Sequence, residues 1–114
     1  MSENIQPIVE AFNQRYQSAW GSDDILDLYC DDGVMIAEVT AIGKPAIRDL
    51  LKAIFAQGWK LSNVRTLFQQ KRGDVIIVTV EYLAQSGEDT SKATASQVLV
   101  NENGTWKTAM HTNA

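Results

Sequence analysis

Apolar residues near the start of the chain recur at three- and four-residue spacing, which is the period of one face of an α-helix. Pro7 suits the first turn of a helix, where a missing N–H removes no hydrogen bond. Gly21 interrupts the pattern. The spacing predicts a first helix that ends near Gly21 and packs one stripe on a core. The stripe comprises Ile5, Ile8, Val9, Phe12, Tyr16 and Trp20.

The next segment predicts a short second helix, a turn and a strand. Ser22 can act as the N-cap of this helix because its side chain can accept a backbone hydrogen bond. Asp31, Asp32 and Gly33 have the composition of a turn, and residues 34–38 that of a short strand. The apolar face of the second helix would comprise Ile25, Leu28 and Tyr29.

A third helix is predicted after the Gly43-Lys44-Pro45 stretch, where Pro45 can take the first helical position. Gly58 suits the C-terminal cap, since glycine tolerates the left-handed backbone found there. The predicted buried face comprises Ile47, Leu50, Leu51, Ile54 and Phe55.

From Leu61 onward the hydrophobic period changes to two, which is typical of β-strands. Polar and glycine-containing turns at residues 71–74, 85–89 and 101–104 separate the β runs. Asn103-Gly104 is a strong hairpin signal, because both residues tolerate positive φ. Three helices followed by antiparallel strands predict an α+β fold, with the helices on one face of a strongly bent sheet that can curl around a pocket.

Length and charge narrow the class of protein. A chain of 114 residues predicts one domain over residues 1–114. Its net charge of −4 repels phosphate backbones, so we expect no nucleic-acid partner. Residues 1–4 lack the features of a secretory signal, and no apolar run reaches the ~18 residues of a membrane span. We therefore expect a cytoplasmic protein with no membrane partner.

Several kinds of site find no support in the sequence. Cys30 is the only cysteine and is followed by two aspartates, so we expect a small core residue rather than a nucleophile. One histidine and one cysteine are too few for a zinc site, and no metal is expected. There is no phosphate-binding glycine loop, serine-hydrolase elbow or Cys-x-x-Cys pair. We expect no cofactor.

Six short stretches extend along nearly the whole chain: Tyr16 with Ala19-Trp20, residues 28–34, Gly43 to Ile47, Ala95 to Val100, Asn103 to Lys107, and His111-Thr112. In this order and spacing they resemble the ketosteroid-isomerase-like and SnoaL-like branch of the nuclear transport factor 2-like superfamily. The resemblance implies a cone-shaped, cystatin-like fold and a homodimer. Because this fold hosts isomerases, dehydratases, cyclases, transport factors and association domains, it implies no single activity.

The resemblance can be carried to the chemistry of ketosteroid isomerase, in which a carboxylate moves a proton while a tyrosine and a protonated aspartic acid stabilise an oxyanion. Tyr16 resembles the tyrosine. Ala37 falls at the base position and Ser96 at the second donor position, so steroid-type isomerisation is not expected. Glu38 could replace the base only if a bulge turned it inward; the alternative is a solvated residue at a strand end.

The single histidine, His111, is the natural candidate for proton transfer, since its ordinary pKa is about 6.5. Strict alternation would place it with Lys107 and Ala109, opposite Trp106 and Thr108. The resemblance turns this His111 face toward the pocket. The alternative is a histidine with a purely structural hydrogen bond.

Further pocket residues come from the resemblance and from spacing. The family pattern turns Val78, Val80 and Tyr82 inward, so the Tyr82 hydroxyl would lie inside the cone or at its rim. Trp20 follows Tyr16 by one helical turn, and both side chains can line the same mouth. Tryptophans elsewhere in the chain are expected to pack in the core or an interface.

These observations favour a homodimeric pocket domain that binds a small apolar molecule through Tyr16, Trp20, Tyr82 and His111. The outer sheet face, with residues such as Leu83 and Leu99, would need to be covered, which supports a dimer. One alternative is an isomerase, lyase or cyclase in which His111 moves a proton and Tyr16 or Tyr82 stabilises an oxyanion. Another is a non-catalytic protein-association module.

Overall fold

A computed structural model describes residues 4–113 of the chain. This part of the chain forms two α-helices, one 3-10 helix and six strands. In chain order the elements are α1 (Gln6–Ala19), the 3-10 helix (Asp23–Leu28), β1 (Tyr29–Ile36), β2 (Thr40–Ile42), α2 (Lys44–Ala56), β3 (Lys60–Arg72), β4 (Val75–Ser86), β5 (Asp89–Glu102) and β6 (Thr105–Asn113).

The helix boundaries follow the local signals of the sequence. Gly21 has a φ of 88° directly after the cap of α1. Ser22 accepts a hydrogen bond from the backbone of Asp24, as expected of an N-cap, although the helix that follows is a 3-10 helix. Gly58 has a φ of 80°, and its N–H donates to the carbonyl of Phe55 at the end of α2. All three predicted helical segments are confirmed.

The six strands form one curved sheet in the order β2-β1-β6-β5-β4-β3. Strands β3 to β6 form the predicted antiparallel meander, while β1 pairs in parallel with β6. Asn103 and Gly104 both have positive φ in the β5–β6 hairpin. Two register shifts in β3, at residues 63–64 and at Leu67, add curvature, since bulges bend and twist a strand. This confirms the bent α+β architecture.

The turn predicted at Asp31, Asp32 and Gly33 is wrong, because these residues lie inside β1. The register jumps from Tyr29 opposite Thr108 to Val34 opposite Met110, so the segment between them bulges away from β6. A side chain on Gly33 would approach the carbonyl oxygens of Cys30 and Thr108 at 3.0 and 3.2 Å. The strand is therefore irregular here, and glycine fits this close backbone approach without displacing the two carbonyls.

The helices cover the inner face of the sheet, and the buried apolar side chains lie between the two layers. Leu99 is fully buried in this core, which corrects the expectation that it would lie on the outer face. The outward residues of β5 are its neighbours Val98 and Val100, both half-buried. None of the helices within residues 4–113 is long and apolar enough to cross a membrane.

Candidate functional site

A cavity of about 50 Å³ lies between α1 and the inner face of the sheet. Its volume corresponds to about three to five water molecules, at roughly 10–15 Å³ each. Apolar and aromatic side chains form most of the wall, with a few amides and hydroxyls. The lining residues are Asn13, Tyr16, Gln17, Trp20, Met35, Leu61, Val64, Val80, Tyr82, Ala95, Gln97, His111 and Asn113.

The sheet register explains which side chains form the cavity floor. Residues that are cross-strand partners point to the same face of a sheet. His111 is the partner of Met35 on one side and of Gln97 on the other. Ala95 is likewise the partner of Asn113 and Val80. Two neighbouring rows of the sheet thus place one histidine and two amides among small apolar residues beneath α1.

A hydrogen-bonded chain of five side chains runs through this floor. The hydroxyl oxygens of Tyr16 and Tyr29 are 2.8 Å apart, and the Tyr29 hydroxyl is 3.0 Å from Nδ1 of His111. Nε2 of His111 is 3.1 Å from Oδ1 of Asn113, which also accepts from the Tyr82 hydroxyl at 3.3 Å. The structure thus joins Tyr16, His111 and Tyr82 through two residues that the sequence analysis did not single out.

The side-chain oxygen of Asn113 determines which atoms donate and which accept along these hydrogen bonds. Its Oδ1 is an acceptor, so Nε2 of His111 must carry the proton and donate. In a neutral imidazole, Nδ1 then holds the free electron pair and accepts from the Tyr29 hydroxyl. The oxygen of Tyr29 in turn accepts from Tyr16. Each hydrogen bond has one donor and one acceptor when His111 is neutral.

Burial keeps His111 in this neutral form. Its side chain is only 4% exposed, and desolvation lowers its pKa from 6.5 to about 4, against the opposing effect of the hydrogen bond to Asn113. The lone pair on Nδ1 is already occupied, and a pKa of about 4 is far from the neutral value that suits a general base. Both ring nitrogens of His111 are therefore engaged within the cavity wall, and burial favours the neutral ring.

Burial also raises the pKa of Tyr16, of Tyr29 and of Tyr82 above the ordinary value of 10. All three hydroxyls remain protonated at neutral pH and can act as hydrogen-bond donors. The aromatic rings pack as well: Tyr16 contacts His111 edge-on with ring centres 6.1 Å apart. The arrangement is a rigid, uncharged, hydrogen-bonded wall.

A register shift in β6 turns both Thr108 and His111 inward. Thr108 is the partner of Leu99 and Met110 that of Val98, so Ala109 has no partner on β5. Strict alternation would have put Thr108 and His111 on opposite faces, and that expectation is wrong. Thr108 is fully buried and donates to Oε1 of Gln97 at 2.9 Å.

Four of the predicted site residues meet at the cavity in addition to His111: Tyr16, Trp20, Val80 and Tyr82. The indole N–H of Trp20 donates to the carbonyl of Trp59 at 2.8 Å, which anchors it at the end of α1. Val78 points inward as expected, but it is buried in the core behind the cavity wall.

Glu38 and Ser96 do not reach the cavity. Glu38 is exposed in the bend between β1 and β2, because β1 ends at Ile36 and not at residue 38 as predicted, so no bulge turns Glu38 inward. Ser96 lies on the outer face, where its hydroxyl is 2.9 Å from that of Thr79. Gln97, one residue further along β5, takes the inward position. These placements correct the expectation for both residues.

Tyr29, Gln97 and Asn113 were missed for different reasons. Tyr29 was predicted to lie on the apolar face of the second helix, but it begins β1 and is fully buried. Gln97 was missed because Leu99 was predicted to lie on the outer face, and residues two positions apart on a strand share a face. Asn113 is two residues from His111 on the same strand, so the same rule would have placed it beside the histidine.

Cys30 is buried, as expected, and desolvation raises its pKa to about 11. A thiol that stays protonated at neutral pH is a poor nucleophile. Within the described part of the chain, no cluster of three or more histidine, cysteine, aspartate or glutamate side chains is arranged to hold a metal ion.

Solved structures share this fold across the whole chain. A nuclear transport factor 2-like protein from Shewanella oneidensis has a TM-score of 0.83 at 12% identity, with 96% of this chain and 98% of that chain covered. A ketosteroid isomerase-like protein from Erwinia carotovora atroseptica has a TM-score of 0.77 at 18% identity, with 98% and 96% covered.

A further neighbour is a putative calcium/calmodulin-dependent protein kinase type II association domain from Thiobacillus denitrificans, with a TM-score of 0.79, 20% identity and 91% of each chain covered. No curated protein matches the sequence. At these identities the likeness concerns the fold alone. A family model does match the sequence itself, over residues 9–113, and its description is SnoaL-like domain. The chain therefore belongs to the SnoaL-like family, and its fold is the one seen in nuclear transport factor 2-like proteins.

Proposed function

We propose that this protein binds a small, neutral and largely apolar organic molecule in the cavity between α1 and the sheet. The observation that carries the proposal is the charge of the wall. Of the side chains in residues 4–113 that line the cavity, none belongs to aspartate, glutamate, lysine or arginine. His111 is neutral, and the tyrosine hydroxyls stay protonated.

An uncharged wall selects against ions. A charged ligand would lose its hydration on entry and find no opposite charge, which costs several kcal/mol. A neutral molecule avoids that cost and contacts Met35, Val80 and Ala95, while its polar group meets the amides and hydroxyls. Apolar walls with a few placed polar groups are the usual composition of small-molecule sites.

The volume limits the size of the molecule. About 50 Å³ holds a compound the size of acetone or acetamide as the cavity stands. A larger ligand would extend through the mouth between α1 and β3. There Asn13 donates to Thr66 at 3.3 Å, while Gln17 is exposed and Leu61 half-buried on either side of the opening.

The proposal can be tested with two molecules of equal shape and different charge. Acetamide and acetate differ little in size, so NMR titration at pH 7 isolates the effect of charge. Acetamide is expected to shift the resonances of His111 and Tyr16 in a saturable way, and acetate to leave them unchanged. Equal binding of acetate, or no binding of acetamide, would exclude a neutral-ligand site.

A cavity-filling variant provides the matched control. Ala95 is 3% exposed and lines the cavity, so Ala95→Val places extra carbon atoms in the space that the ligand would occupy. The acetamide response should disappear in this variant. Ala93→Val, on the same strand but outside the lining, should retain the response.

We also propose that the outer face of the sheet pairs with a second copy of the chain. A row of cross-strand partners, here called the outer row, crosses four strands and comprises Val34, Met110, Val98 and Ile77. Met110 is 41% exposed, and Phe68, one row away, is 49% exposed. A central apolar strip without charge complements itself, as a two-fold interface requires.

Charge inserted beside the outer row should break such a pairing. Phe68→Lys is expected to convert a dimer into a monomer in sedimentation velocity at micromolar concentration. Val39→Lys is the control and should leave the dimer intact, because Val39 is an even more exposed apolar residue but lies in the β1–β2 bend. A wild-type protein that sediments as a monomer would refute the proposed pairing.

A further inference from the structure

The side-chain amide of Gln97 has hydrogen-bond donors that no other group in the described part of the chain uses. It is 8% exposed, points inward from β5, and accepts from Thr108 through Oε1. Its amide nitrogen carries two further donors. Within residues 4–113 this nitrogen has no hydrogen-bond partner, yet it is not among the buried atoms left without one, so it opens into the cavity.

Most other polar groups of the floor are already engaged. The amide nitrogen of Asn113 also has no partner within residues 4–113, but Asn113 is only half-buried, at the end of β6. Both ring nitrogens of His111 are bonded, and the hydroxyls of Tyr29 and Thr108 each have an acceptor. The Tyr82 hydroxyl donates to Asn113 at the end of the chain of five side chains. Gln97 is therefore the group on the cavity floor that is nine-tenths buried and has donors to spare.

We infer that Gln97 selects the ligand, by donating from its amide nitrogen to an acceptor oxygen such as the carbonyl of a ketone, aldehyde, ester or amide. The inference rests on the proposed binding of a neutral molecule and adds the functional group that the molecule must carry. A buried donor that gains its partner only when a ligand is present rejects ligands without an acceptor, because its desolvation is then uncompensated.

The position of Gln97 in the sheet supports its role as a donor to the ligand. Gln97 is the cross-strand partner of His111 and, on its other side, of Val78. Its Oε1 accepts from Thr108, which is itself fully buried. A flipped amide could donate to Oγ1 of Thr108, but the buried hydroxyl hydrogen of Thr108 would then lose its acceptor. The cavity therefore presents a donor, not an acceptor, at this point of the floor.

The test uses acetone, which carries a carbonyl acceptor and no donor, and xenon, which fills apolar cavities without hydrogen bonds. In the wild type, acetone should shift the side-chain NH₂ resonances of Gln97. In Gln97→Met, which keeps the length of the side chain and removes its donors, the acetone dissociation constant should rise about five- to tenfold, as expected for one hydrogen bond.

Xenon and a second variant serve as controls. Xenon should bind the wild type and Gln97→Met equally, which shows that the cavity survives the substitution. Gln85→Met, at an exposed position on β4, should leave acetone binding unchanged.

Two results would contradict the proposals in different ways. If acetone binds the wild type and Gln97→Met equally, the role of Gln97 is overturned while the neutral-ligand site stands. If neither acetone nor xenon binds the wild type, both proposals fail.

Discussion

The two faces of the sheet are built from the same strands, yet they differ in what their polar atoms do. On the inner face, polar side chains are buried and joined in a chain from Tyr16 to Tyr82 around a small cavity. On the outer face, polar groups such as Thr79 and Ser96 pair locally, beside exposed Phe68 and Met110. Burial thus requires the polar atoms of the inner face to bond to one another, while apolar side chains remain exposed on the outer face.

The largest difference between the faces should appear when a leucine is truncated on each. Leu99 is fully buried on the inner face, so Leu99→Ala should cost about 3–5 kcal/mol of unfolding free energy. Leu83, half-buried on the outer face, should cost about 1 kcal/mol. Urea unfolding of both variants measures this, and equal losses would contradict the assignment of faces.

The pH dependence of stability should report the burial of His111. Its pKa falls from 6.5 in the unfolded chain to about 4 in the folded protein, so between these values only the unfolded state binds the proton. The unfolding free energy should therefore be unaffected above about pH 6.5 and decrease by about 3 kcal/mol as the pH falls to about 4.

Comparison with His111→Gln isolates this effect from the titration of carboxylates. Urea unfolding of both proteins across the same pH range gives the difference in their stabilities. That difference should shrink by about 3 kcal/mol from pH 7 to pH 4, because the variant has no imidazole to protonate. A difference that is constant with pH would show that His111 keeps its ordinary pKa.

A smaller effect should follow from cutting the chain of hydrogen bonds at its centre. Tyr29→Phe removes the hydroxyl between Tyr16 and His111 and leaves both without their partner, at a cost of about 1–3 kcal/mol. Tyr82→Phe removes only the half-buried end of the chain, and about 0.5–1 kcal/mol is expected. Urea unfolding measures the two losses of unfolding free energy. A larger loss for Tyr29→Phe would show that the buried hydrogen bonds contribute more than the peripheral one.

The parts of the fold that were predictable have strong local signals. Gly21 and Gly58 end helices through positive φ, and Asn103-Gly104 forms the hairpin for the same reason. The change from helical to strand period at Leu61 predicted the order of layers. Such signals act within a few residues, so one sequence suffices to read them.

The site was less predictable because it depends on bulges. Because Ala109 is unpaired, each residue after it on β6 points to the opposite face from the one that strict alternation predicts. Alternation alone cannot show where such a residue lies. The same limit misplaced the turn at residues 31–33. His111 was singled out as the only histidine and Tyr82 through the family resemblance, whereas Gln97 required the register of β5 with both its neighbours.

The protonation of the His111 ring is the most direct test of an uncharged inner face. Nitrogen-15 NMR at pH 6 to 7 distinguishes imidazolium from both neutral tautomers. We predict a neutral ring with its proton on Nε2 and an unprotonated Nδ1 that accepts from Tyr29. A charged ring, or a neutral ring with its proton on Nδ1, would contradict the direction of the hydrogen-bonded chain and the neutrality of the cavity.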